Sequence, residues 1–145
     1  LWEEDGIKKL AALKRSTNML ICAEDLGMVP QMVEAVLANM QMLALEVQRM
    51  PKKINEQFSN PLYSPYLSVV TPSTHDMATI REWWEEDTKM IQNFYNQQLG
   101  HNGDAPFFAE PWVCRDILQQ HLNSPAMWAV FLLQDILSMD DSLRI

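Results

Sequence analysis

Tyr66-Leu67-Ser68-Val69-Val70-Thr71-Pro72-Ser73-Thr74-His75-Asp76 is the stretch on which the fold turns. Its β-branched run Val69-Val70-Thr71 suits a pleated sheet, where branched side chains pack well. Pro72 cannot donate to a strand ladder, so it closes the strand. Two hydroxyl residues follow, then a histidine beside an aspartate, and Met77–Trp84 continues as a helical pattern. A buried strand that releases polar side chains at its carboxyl end is how α/β folds build sites. His75 and Asp76 are therefore placed on the rim of a sheet.

Upstream the same design occurs again. Met19-Leu20-Ile21-Cys22-Ala23 is a short apolar run that ends in Glu24-Asp25-Leu26-Gly27, and Pro30 opens the next helical pattern. Continuous apolar runs, rather than alternating ones, suit a strand covered on both faces of a parallel sheet. Aspartate also caps helix starts, so Asp25 or Asp76 taken alone reads equally as a cap. Two acidic endings in one alternating chain point instead to a site.

Between these stretches, Gln31–Asn39 reads as a short helix and Met42–Val47 as a further strand. Glu46 inside that strand has no role assignable from sequence. Arg49 lies at the strand's carboxyl end, where it either faces a ligand or makes an ordinary surface salt bridge. Met50–Pro65 is a long connection with Pro51, Pro61, Pro65, Lys52-Lys53 and Tyr63. Long loops on the carboxyl side of a strand are where ligand contacts gather. Downstream, Thr79–Glu86 and Thr88–Leu99 are helical, with Gly100 as a stop. Adjacent Trp83 and Trp84 cannot share one helix face, so one is expected on the sheet and the other on a neighbouring element. Pro111 opens another helix at its first position. Ala126–Leu133 is read as a fourth strand ending in Gln134-Asp135, with a helix as the competing reading. Leu1–Arg15 shows helical periodicity, with Trp2 as a core or interface residue. His121 reads as structural and His101 as a solvated loop residue.

Composition narrows the classes. The chain has 145 residues, 48% of them hydrophobic, enough for one substantial core. Eleven Lys and Arg against nineteen Asp and Glu leave a net charge of −8. That charge disfavours nucleic acid or an anionic membrane as partner. No apolar run is long enough to cross a bilayer. Cys22 and Cys114 lie in apolar patterns and read as buried free thiols, which implies a reducing, cytoplasmic setting. No zinc-spaced Cys/His set and no Gly-rich phosphate loop is present, so neither metal nor cofactor is expected. The ten methionines read as core filling.

Ala23-Glu24-Asp25-Leu26-Gly27 and Thr74-His75-Asp76, in this order and spacing, resemble the 4-α-glucanotransferases, also called amylomaltases or disproportionating enzymes, of the α-amylase superfamily. Ser68–Asp76 together with Arg81-Glu82-Trp83-Trp84-Glu85-Glu86-Asp87 is similar to the longer form found in plant cytosol and some bacteria. Leu133-Gln134-Asp135-Ile136-Leu137 resembles that family's last barrel strand.

The resemblance implies the C-terminal half of a (β/α)8 TIM barrel, about four parallel strands with intervening helices. Residues 1–145 would hold strands five to eight of a catalytic domain whose upstream half, with the aspartate nucleophile, is absent. It implies Glu24 as general acid/base, Asp76 as transition-state stabiliser and His75 as a contact at the cleaved bond. On the residues themselves, Arg49, Tyr63 and Asp25 join the substrate-binding set, with Tyr63 either stacking on a glucose ring or simply packing in its loop. The implied partner is an α-1,4-glucan or maltooligosaccharide, as in starch, glycogen or maltose metabolism. The chain alone would be inactive, and its open sheet edges would favour homo-oligomers. Retaining transfer fits these roles, since it needs an acid on the leaving oxygen and a carboxylate nucleophile. Two alternatives stay open on the residues themselves. One is a metal-assisted α/β hydrolase or phosphotransferase using Glu24, His75, Asp76 and Asp135. The other is a non-catalytic carbohydrate-binding or interaction module in which the acids serve as caps.

Overall fold

A computed structural model describes residues 2–27 and 29–143, with the backbone alone at Trp2. The expectation for the Trp2 side chain lies outside the described residues. Helix α1 spans Trp2–Arg15, with Glu3, Glu4 and Asp5 in its first turn and Lys14 and Arg15 in its last. That charge order complements the helix dipole. Strand β1 (Cys22–Ala23), helix α2 (Met32–Asn39) and strand β2 (Leu43–Val47) follow, then β3 (Ser68–Thr71). Helices α3 (Ile80–Trp84), α4 (Thr88–Gln97) and α5 (Pro111–Leu122) lead to β4 (Trp128–Ala129) and α6 (Leu133–Leu137).

The strands form one sheet in the order β1-β2-β3-β4, and every neighbouring pair is parallel. The α/β expectation with four parallel strands holds. Two strand boundaries do not. Only Cys22–Ala23 pairs in the first run, and Met19 and Leu20 are exposed. The fourth strand is Trp128–Ala129, and the Leu133–Leu137 run that resembles a barrel strand is helix α6. Leu and Gln are good helix formers, and propensity wins there because no neighbouring strand pairs with the run.

Capping residues explain the starts of α3 and α4. Asp87 accepts from the amides of Lys89 and Met90 at 2.9 and 3.0 Å to begin α4, and Thr79 accepts from Glu82 to begin α3. Gly100 stops α4 with φ 72°, a left-handed value that favours glycine.

The main core lies among α3, α4 and α5. Phe94 is fully buried there, edge-on to Phe58 and Trp83 at 5.0 Å each and to Trp84 at 6.3 Å. Both tryptophans enter this one core, contrary to the expectation that they part company. The short helix lets neighbouring side chains pack against each other at 6.2 Å, with the Trp84 indole donating to Pro106 O. A smaller cluster joins Leu37 of α2 with Met42 and Ala44, against Leu10 of α1. Register partners share a sheet face, so Ala23, Ala44, Ser68 and Val70 lie on the face that carries this cluster. Cys22, Leu45, Val69 and Trp128 alternate onto the other face. Cys22 and Trp128 are exposed there, so only Cys114 meets the expectation of a buried thiol.

Candidate functional site

Because all strands run parallel, the chain leaves β1, β2 and β3 at one edge of the sheet. Glu24 and the Pro72–Asp76 segment therefore emerge on the same rim, two strand spacings or about 10 Å apart. Glu24 is exposed. His75 and Asp76 face solvent, with side chains 83% and 77% exposed, and their Nε2 and Oδ1 lie 3.3 Å apart. A turn shapes this tip, in which Met77 N donates to Thr74 O at 3.1 Å.

Asp25 behaves differently from its neighbour. It is buried, its Oδ1 accepts from Leu45 N at 2.9 Å, and its Oδ2 pairs with Lys52 Nζ at 2.7 Å. Lys52 also pairs with Glu46 at 2.7 Å, which gives that strand glutamate its role. Partial burial pulls the Lys52 ammonium down, but hydrogen bonds and charge from Asp25 and Glu46 outweigh it and leave the group above its ordinary range. The network ties the end of β1 to β2 and to the following loop. Tyr63 sits on a 3-10 turn (Pro61–Tyr63) and is 85% exposed. It borders a cleft of about 670 Å³ with Glu46, Lys52, Asn60 and Gln97. The same lysine thus links Tyr63's cleft to Asp25.

Arg49 turns its guanidinium onto protein groups. Nε donates to Pro72 O at 3.0 Å, Nη2 donates to Ala78 O, and the group lies 4.9 Å over the Trp83 ring. Burial lowers its pKa, opposed by the charges of Asp135 and Glu86. Asp135 itself is fully buried, accepting from Ser73 Oγ at 2.5 Å and Ile80 N at 2.8 Å. The sequence reading gave Ser73 no role, because a serine after a proline carries no signal of a partner 62 residues on. The described residues hold no group of three or more His, Cys, Asp or Glu placed to share a metal ion. Glu24, His75, Asp76 and Asp135 are accordingly not gathered into a ligand set.

The rim thus carries a free acid and a His–Asp pair, and an exposed tyrosine borders a polar cleft. A family profile described as 4-alpha-glucanotransferase matches residues 2–145. The chain belongs to the 4-alpha-glucanotransferase family. Among its relatives, the 4-alpha-glucanotransferase DPE2 of rice (Oryza sativa subsp. japonica) is 40% identical over 141 residues, covering 97% of this chain. The 4-alpha-glucanotransferase of Chlamydia pneumoniae is 32% identical over 94 residues, 63% of this chain. The amylomaltase from Streptococcus agalactiae, solved in complex with acarbose, superposes with a TM-score of 0.65 over 88% of this chain at 19% identity. That likeness shows the fold, part of a (β/α)8 barrel. The chain spans 15% of the length of the rice relative, 18% of the chlamydial one and 25% of the streptococcal structure.

Proposed function

We propose that residues 1–145 are the part of a retaining 4-α-glucanotransferase that carries its general acid/base and its transition-state stabiliser. The observation that supports this best is the all-parallel strand order, which brings the ends of β1 and β3 to one rim. Glu24 protonates the leaving glycosidic oxygen and then deprotonates the incoming sugar hydroxyl. Asp76 stays ionised and opposes the positive charge that develops at the anomeric carbon. His75 donates to a sugar hydroxyl and Tyr63 offers its exposed ring to a glucose face, while Asp25 and Arg49, whose charged groups are taken by protein partners, stand behind the substrate rather than against it. The nucleophilic aspartate comes from chain outside residues 1–145, from one of the four barrel strands that precede these, taken as strands five to eight. The substrate is an α-1,4-glucan or maltooligosaccharide, related to starch, glycogen or maltose, and the compartment is the cytoplasm, in keeping with two free cysteines.

By itself the chain has no transfer activity and pairs with copies of itself through its outer strands β1 and β4, a state that sedimentation reads directly. In a protein carrying this chain within its whole barrel, Glu24→Gln lowers maltooligosaccharide transfer by about 10²–10⁴-fold, the usual worth of a positioned acid/base. Binding of maltooligosaccharide persists in that variant. Turnover equal to that of the parent protein ends the assignment.

A further inference from the structure

The segment that carries His75 and Asp76 is held at both ends by the same two side chains. Arg49, just beyond β2, donates to Pro72 O at 3.0 Å on the near side and to Ala78 O on the far side. Asp135, in α6, accepts from Ser73 Oγ at 2.5 Å with one oxygen and from Ile80 N at 2.8 Å with the other. Between the grips, Thr74 and Met77 are half-buried and His75 and Asp76 are exposed. A third tie, from Thr71 Oγ1 to Ser73 O at 2.6 Å, tightens the exit from β3.

Burying a charged carboxylate completely is costly unless its oxygens are satisfied. Asp135 meets that condition through a loop hydroxyl 62 residues away and the first amide of α3, 55 residues away, and neither bond belongs to a helix or sheet ladder. The rigid fork of an arginine suits two carbonyls at once in a way a lysine's single ammonium does not. Arg49 is fixed in turn by lying over Trp83. Ordering an exposed loop costs about 1–2 kcal/mol per residue, so an unclamped tip would wander.

We propose that Asp135 and Arg49 are positioning residues, which grip both ends of the Pro72–Ile80 segment so that Asp76 is presented to the reacting sugar in one geometry. The catalytic consequence rests on the reading of Asp76 given above; the grip does not. Two measurements test it. In this chain, amide relaxation of His75 and Asp76 reads the loop directly. Asp135→Asn, or the milder Ser73→Ala where the first variant does not fold, lowers their order parameters from about 0.85 to below about 0.6. Unchanged order parameters in a folded variant overturn the proposal.

In the protein with its whole barrel, Asp135→Asn lowers kcat for maltooligosaccharide transfer by about 10²-fold, the cost of roughly 1 Å of misplacement, with KM unchanged. In an Asp76→Asn background the same substitution adds no further loss, because it acts through Asp76. Losses that multiply, or a loss carried by KM, overturn the positioning role. An Asp76→Asn variant with full turnover overturns the functional reading and the catalytic consequence together, while the relaxation measurement still decides whether the two residues hold the loop.

Discussion

Replacing Arg49 with methionine keeps a long side chain against Trp83 and removes the charge and both donors. The native guanidinium makes two hydrogen bonds to carbonyls, at Pro72 and Ala78, and lies 4.9 Å over the Trp83 ring. Hydrogen bonds from a charged donor contribute about 1.5–3 kcal/mol each. A cation over an aromatic ring adds about 0.5–2 kcal/mol. Against this stands the desolvation of the guanidinium, several kcal/mol in effect, which methionine avoids. The stabilising side wins because the two carbonyls stay in place and lose their partner, whereas Asp135 keeps Ser73 and Ile80. A net loss of about 2–4 kcal/mol follows. With a urea slope of about 2 kcal/mol/M for a chain of this size, the midpoint falls by about 1–2 M. Urea titration followed by tryptophan fluorescence measures this, since Trp83 is buried beside the substituted residue. A midpoint within about 0.3 M of the parent at equal slope would refute the reasoning, because it would mean that the carbonyls find other partners at no cost.

The other expectations concern the interior. Phe94 is enclosed by three aromatic rings, so Phe94→Ala leaves a cavity and costs about 3–5 kcal/mol, read as a fall in thermal midpoint; a loss under about 1 kcal/mol contradicts the packing described. His121 is buried with Nδ1 2.8 Å from Ile117 O, and burial lowers its pKa below 6.5 despite opposing contributions from Ile117, Thr71 and Asp135. Below pH 6.5 the unfolded chain binds a proton that the folded chain refuses, so stability falls with pH at up to about 1.4 kcal/mol per unit until the folded pKa is reached. His121→Asn removes that slope between pH 7.5 and 5.5, above the carboxylate range; identical slopes for the two proteins would count against a neutral buried ring.

The alternation of apolar runs and helical stripes was enough to set the architecture, and the acids at the ends of β1 and β3 were legible as rim residues. These are local properties: β-branching, proline stops, capping residues and side-chain period act within a few positions of each other. The fates of individual polar groups were not local. Nothing around Glu46 announces Lys52 and Asp25, and nothing around Arg49 tells a ligand contact from a grip on Pro72 and Ala78. The extent of the fourth strand was not local either: the apolar run Ala126–Leu133 fits strand or helix until pairing is known, only Trp128–Ala129 pairs with β3, and Leu133–Leu137 closes into a helix.

Sequence by itself thus determined the strand–helix order, the parallel sheet and the family, because short-range sterics and an ordered set of motifs suffice for those. Only the tertiary structure decided which acids are free and which are spent. Asp25 and Asp135 are taken by partners far along the chain, and Glu24 and Asp76 are left facing solvent. The physical reason is that a buried carboxylate is stable only with donors supplied by other elements, and which donors arrive is settled by packing.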